Sequence, residues 1–274
     1  MTSARSVKKR GSAEKWLLWL TGDKFRSVLV IAAFFLFWQF CVVFFDIPEY
    51  KLPSPLSALE HLFFKQAKAN YNWPLHISVT LYEFVTGFAV TSLLGIFLAI
   101  LIVWSRYAKN MLMPLFIFIN SLPIIAIAPI ILLWMGYGIA TNILIAFLVS
   151  FFPVLINTIT GLDAIEEDLL DLARYLNASK LQLFVKIRIP NSLPYIFSGL
   201  KICATMSIVG AIVGEFIASD KGLGYIIINS QYAVDTPPIF SSLIVISLAG
   251  AGLYVIITLL EHMFMPWAYK KERV

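Results

Sequence analysis

Few side chains in this 274-residue chain have the types and spacing that chemistry requires. Among the polar residues inside long apolar runs, four stand out: Glu83, Asn120, Asn157 and Glu215. Intramembrane groups of this kind serve as solute contacts, ion-coupling sites or interhelical hydrogen bonds, so these four are the candidates for a solute path. His61, His76 and His262 stand far apart in sequence and near predicted interfaces, which fits packing better than metal ligation. Cys41 and Cys203 lie within apolar stretches without ligand spacing and read as small core residues. No glycine is followed by lysine, so the phosphate-cradling loop G-x-x-x-x-G-K-[ST] is absent. No catalytic constellation or metal set stands out, and the chain reads as a non-enzyme.

The elements that carry these residues are membrane spans. Hydrophobic residues make up 59% of the chain, charged residues only 14%, and mean hydropathy is +0.83, a balance that a soluble domain of this size cannot solvate. The apolar runs suit helices of about 20 residues rather than the alternating strands of a barrel. Six spans are expected, at 27–45, 77–104, 111–135, 139–162, 193–219 and 239–265. The first is long, rich in Phe and without a small-x-small end, and reads as an uncleaved span rather than a signal peptide. Pro123, Pro129 and Pro153 are expected to kink the third and fourth spans. The Gly210/Gly214 pair offers a small-xxx-small face to a second copy of the chain.

Lys and Arg set the orientation. One side holds Arg5, Lys8, Lys9, Arg10, Lys15, Lys24 and Arg26, then Arg106 and Lys109, then Arg174, Lys180, Lys186 and Arg188, then Lys270, Lys271 and Arg273. The other keeps only Lys51, Lys65, Lys68 and Lys221. The positive-inside bias places both termini in the cytoplasm. It divides the chain into a basic N-terminal segment (1–26), a transmembrane domain (27–265) and a basic tail (266–274). The net charge of +5 therefore belongs to a membrane topology and not to nucleic-acid binding. On the outer side, Ser57 is expected to cap a short helix from Ala58 to about Lys68, with Leu59, Leu62 and Phe63 on one face, against the bilayer or the other spans.

The longest polar segment, 163–192, lies on the cytoplasmic side. Acidic Glu166, Glu167 and Asp168 open one helix, and Ile165, Leu169, Leu172, Ala173 and Leu176 follow a 3.6-residue period along it. Leu181, Phe184 and Ile187 mark a second short helix, ended by Pro190. Asn177, tolerant of left-handed backbone, is the turn between them. The hairpin carries too much apolar surface to stay solvated alone.

These residues resemble the cytoplasmic signature of bacterial ABC importer permeases, E-A-A, then G four residues on, then I-x-L-P ten residues beyond. Asp171, Leu172 and Ala173 stand for E-A-A, Asn177 for the glycine, and Ile187, Ile189 and Pro190 for I-x-L-P. Identity is kept at Ala173, Ile187 and Pro190. LPSPLSALEHL, the GYG of LLWMGYGIATN, FFPVLINTITGLDAIEEDLLDLARYLNAS and GEFIASDKGLGYII are similar to the nitrate/sulfonate/taurine branch, across about residues 50–267. The resemblance implies an all-α, six-helix permease of the type I ABC importer fold in the bacterial inner membrane. It implies that Asp171, Leu172, Ala173, Leu176, Asn177, Ile187 and Pro190 dock on separate cytoplasmic ATP-binding subunits, which hold the ATP and magnesium. It also implies an extracytoplasmic solute-binding protein at the loops 46–76 and 220–238, and a second permease copy. LYEFVTGF and QYAVDTPPIFSSL look closer to importers of a pyrimidine thiamine precursor or riboflavin than to those of sulfonates. An ion-coupled secondary transporter is the competing reading; it would rely on Glu83 and Glu215.

Overall fold

A computed structural model describes residues 23–63 and 71–267. The basic residues up to Lys15, Lys65, Lys68 and the terminal tail from residue 268 lie outside the described residues. Among the latter the chain is all-helical. In order these are α1 (Asp23–Phe44), α2 (Pro55–Phe63), α3 (Trp73–Trp104), α4 (Arg106–Asn120), α5 (Ile124–Met135), α6 (Ile139–Asp163), α7 (Glu167–Tyr175), α8 (Lys180–Leu183), a π-helical turn (Phe184–Arg188), α9 (Ile189–Ala218), α10 (Leu223–Tyr232) and α11 (Thr236–Phe264).

Among the described residues, four helical stretches are long and apolar enough to span a membrane, those containing α3, α6, α9 and α11. The expected third span is instead a broken pair: α4 and α5 meet at 90° across Ser121–Pro123. Pro123 lacks the N–H that would continue α4, and Ser121 and Leu122 close the helix on the carbonyls of Ile117 and Ile119. A kink was expected; the proline produces a corner. Pro129 and Pro153 lie within continuous helices. In α1 the described apolar part is Val28–Phe44, shorter than the other spans.

The core is α6, clasped between α3 and α9. Lipid offers no hydrophobic drive for helices to associate, so close packing does the work, and small residues permit it. A Cβ on Gly87 would fall 2.8 Å from the Ala146 Cβ, and one on Gly210 would fall 2.6 Å from the Ala146 Cα. Gly214 meets Asn142 in the same way. The Gly210/Gly214 face is therefore spent inside the chain and does not face a second copy. Thr91 and Ser150 hydrogen-bond across α3 and α6 at 3.0 Å, and Lys201 pairs with Glu261 at 2.5 Å between α9 and α11. Cys203 is fully buried.

Three further expectations shift. Ser54, not Ser57, accepts the first-turn N–H of α2 (3.1 Å), because the helix starts at Pro55, whose fixed φ suits a first turn. The buried side of α2 is Pro55 and Ala58, with Leu59 and Phe63 exposed; Ser241 Oγ donates to the Ala58 carbonyl at 2.6 Å and fixes α2 on α11. Pro190 does not end a helix. The helical path runs from Lys180 to Ala218, and the Ile189 N–H reaches back five residues to the Phe184 carbonyl in the π turn. That turn lies immediately before Pro190, where an α-helical ladder would have met the missing donor.

Candidate functional site

Two groups of candidate residues occupy opposite ends of the bundle. At the end that gathers Lys109, Asp163 and Arg188 lies the hairpin. Leu176 closes α7, and Asn177 takes φ +51°. The Ala178 N–H bonds the Ala173 carbonyl (2.9 Å) and the Asn177 N–H bonds the Arg174 carbonyl (3.0 Å), the paired pattern of a left-handed helix stop. Ser179 and Gln182 then cap α8 reciprocally. The asparagine turn read from the sequence is thus the observed one. Valine at 177 should cost about 1–2 kcal/mol of hairpin stability because its Cβ crowds the left-handed backbone, whereas glycine should be tolerated. Proteolysis rates of the loop in the two variants measure this; equal rates would contradict the turn.

The hairpin's base is rigid. Asp163 receives Lys109 Nζ at 2.5 Å and Arg188 at 3.7 Å. Asn191 Nδ2 donates to the Ala164 carbonyl (2.5 Å) and Arg188 to the Leu162 carbonyl (3.5 Å), satisfying carbonyls at the end of α6. Phe184 is buried in the core and meets Trp104 edge-on at 5.2 Å; Lys180 lies over the same indole. The tip is different. The apolar face expected of one helix is divided: Ala173 turns inward and is 6% exposed, while Leu172 is 54%, Leu176 66% and Tyr175 85% exposed. Asp171 is exposed and pairs with Arg174 at 2.7 Å. Ile187 is half-buried and Pro190 exposed.

At the other end, the structure unites two of the four polar candidates. Glu83 of α3 and Glu215 of α9 are both sealed from solvent and are neighbours: Thr80, which bonds Glu215, lies one turn before Glu83 on α3, and Asn142, which bonds Glu83, packs on Gly214 beside Glu215. Glu83 Oε1 accepts from Asn142 Nδ2 at 2.9 Å. Glu215 Oε1 accepts from Thr80 Oγ1 at 2.6 Å, and Oε2 from the Gly224 N–H at 2.5 Å. The Leu223 N–H donates to Thr80 Oγ1 (2.8 Å) and the Gly222 N–H to His76 Nδ1 (3.0 Å). His76 stacks on Tyr225 with the ring planes 6° apart. Asn157 stands apart, its amide donating to the Pro153 carbonyl at 2.8 Å. Asn120 is exposed at the α4–α5 corner. Above the carboxyl pair, Tyr71, His76, Asp220, Lys221, Tyr225 and Asn229 line a pocket of about 350 Å³.

Sequence reasoning missed Asn142 and Thr80 as partners of the carboxyls and missed α10 altogether. Asn142 was legible as an amide within an apolar run. The apolar repeat of Leu223, Ile226 and Ile227 after Gly222 signals a short buried helix. Among the described residues no cluster of three or more His, Cys, Asp or Glu has metal-site geometry.

A bundle of long apolar helices with a stapled polar hairpin at one end is the architecture of a polytopic membrane protein. Residues 91–268 match the family described as the binding-protein-dependent transport system inner membrane component, and the chain belongs to that family of ABC importer permeases. It is similar to a probable ABC transporter permease protein of Haemophilus influenzae, 33% identical over 88% of this chain and 96% of the relative. It is also similar to the formylaminopyrimidine transport permease protein of Halalkalibacterium halodurans, 32% identical over 81% of this chain and 88% of the relative. The riboflavin transport system permease protein of Chloroflexus aurantiacus is 32% identical over 84% and 85%. The chain is a transport subunit and not an enzyme.

Proposed function

We propose that this chain is the membrane-spanning subunit of an ATP-driven importer for a small heterocyclic solute of the pyrimidine or flavin class. Separate ATP-binding subunits dock on the hairpin through Leu172 and Leu176, with Asp171, Ala173, Asn177, Ile187 and Pro190 shaping and anchoring that surface. They bring the ATP and magnesium. The observation that carries this reading is the exposed Leu172–Tyr175–Leu176 row on a hairpin whose base is pinned by Asp163 and Asn191. Apolar side chains presented on a fixed support fit a partner's groove, and solvation alone would not retain them. The solute class is supported by the names of two relatives that are 32% identical.

The hairpin faces the cytoplasm, because the Lys and Arg residues gather at its end. The opposite end, with α2, α10 and the pocket around Tyr71, then receives the solute-binding protein. A second copy of the chain completes the path, and the exposed corner at Asn120 is where solute meets the chain. Asn157, with its amide already satisfied, lines the wall, and Glu83 and Glu215, sealed from solvent, hold the helices of that wall together from within.

Purification of the tagged protein from native membranes in mild detergent tests the reading. An ATPase with a phosphate-binding loop is expected to come with it, and a co-purified binding protein supplies the reagent for identifying the solute. Repeated recovery without any ATPase would overturn the importer reading in favour of an ion-coupled transporter relying on Glu83 and Glu215.

A further inference from the structure

The two membrane-buried carboxyls have unequal surroundings, and the inequality assigns them different states. Both oxygens of Glu215 accept a hydrogen bond, one from Thr80 and one from the Gly224 amide. Glu83 Oε1 accepts from Asn142, but Glu83 Oε2 has no donor within reach although it is buried. Two ionised carboxylates side by side, both withdrawn from water, combine like-charge repulsion with desolvation. A neutral carboxylic acid, by contrast, supplies the donor that the pair lacks.

The location of the remaining charge follows from α10. Gly222 is the residue before that helix, and the N–H groups of Gly222, Leu223 and Gly224 point in succession at His76, Thr80 and Glu215. These are first-turn donors with no partner inside their own helix. An anion is favoured where they converge, at the positive end of the helix. Glu215 occupies that place and Glu83 does not.

We infer that Glu83 and Glu215 hold a single proton between them, carried on Glu83 Oε2 and donated to the Glu215 carboxylate, and that this pair positions the turn Ser219–Gly224 and α10 on the bundle. Glu83 is then a positioning residue that acts through Glu215. Neither carboxyl contacts solute. The assignment extends the permease reading and depends on it only for a transport readout.

Hydrogen-bond inventory makes the two glutamates respond differently to the same substitution. Glu83→Gln keeps an acceptor for Asn142 and a donor for Glu215, and thus copies the neutral acid. Glu215→Gln turns one of two occupied acceptors into an NH2 group that faces a donor. With the full chain in lipid nanodiscs together with its ATPase, E83Q is expected to transport within about twofold of the parent protein, and E215Q to fall at least about tenfold. The difference infrared spectrum of the permease at neutral pH is expected to contain a protonated-carboxyl C=O band that E83Q removes. Equal tolerance of both variants, the reverse order, or a band that persists in E83Q would overturn the assignment. The infrared band and the melting temperatures of the two variants do not require transport, so they decide the proton assignment even if the importer reading fails.

Discussion

Membranes carrying the double variant Leu172→Asp/Leu176→Asp are expected to contain normal amounts of permease but to release it from detergent without its ATPase. Both side chains are more than half exposed in the isolated chain, so the substitution leaves the bundle's own packing untouched. Burying a leucine at an interface is worth about 1.5–3 kcal/mol, and an aspartate in the same groove adds a desolvation cost. Together the two changes should weaken docking by at least about a hundredfold and abolish ATP-driven uptake. Ala173 is the wrong place for this test. At 6% exposure it faces the hairpin's interior, and a bulky residue there would confuse misfolding with lost docking. Co-purification compared with total permease in the membrane separates the two effects. Full ATPase recovery by the double variant would remove the docking role of this row.

The largest loss of folded protein is expected from Gly222→Ala. Gly222 has φ +103°, which non-glycine residues rarely adopt. A Cβ there would fall far inside van der Waals contact of the Glu215 carboxyl carbon and of both its oxygens. That carboxyl is tethered through both oxygens and has nowhere to move. Backbone strain of about 1–2 kcal/mol adds to overpacking of about 1–3 kcal/mol, a large share of the roughly 5–15 kcal/mol margin of a typical domain. Thermal unfolding in detergent should show a large drop in midpoint and in yield. Gly252→Ala is the matched control. Gly252 lies within α11 with no atom near its missing Cβ, so that variant should unfold like the parent or slightly later. A G222A protein as stable as G252A would mean that the turn does not press on Glu215.

The sequence announces features written in one segment at a time. Apolar length marks α3, α6, α9 and α11, and a lone Asn177 between two amphipathic stretches marks a left-handed stop. Both are local effects, and both are seen. Features that depend on partners were hidden. Gly210 and Gly214 carry the same pattern whether they meet another copy or their own α6, and only packing decides. Glu83 and Glu215 each read as a lining residue, because their real partners, Thr80, Asn142 and the Gly224 amide, are dispersed over 145 positions of the chain. Pro190 resembles a stop signal, yet a π turn placed just before it absorbs the missing hydrogen bond. The helix α10 was concealed by its short length and by its position in what reads as an outer loop.

The unbroken path from Lys180 to Ala218 has a mechanical consequence. Its 39 residues form a rod of roughly 58 Å, long enough to join the hairpin to the turn before α10. One end is gripped by Asp163 and Trp104 and the other ends beside Glu215. Such a rod is a lever: each degree of tilt about its lower grip moves the far end by roughly 1 Å. The irregular part of its hydrogen-bond ladder, the π turn followed by Pro190 and Pro194, lies at the gripped end. A force applied at the hairpin is therefore carried along one continuous element to the turn beside Glu215.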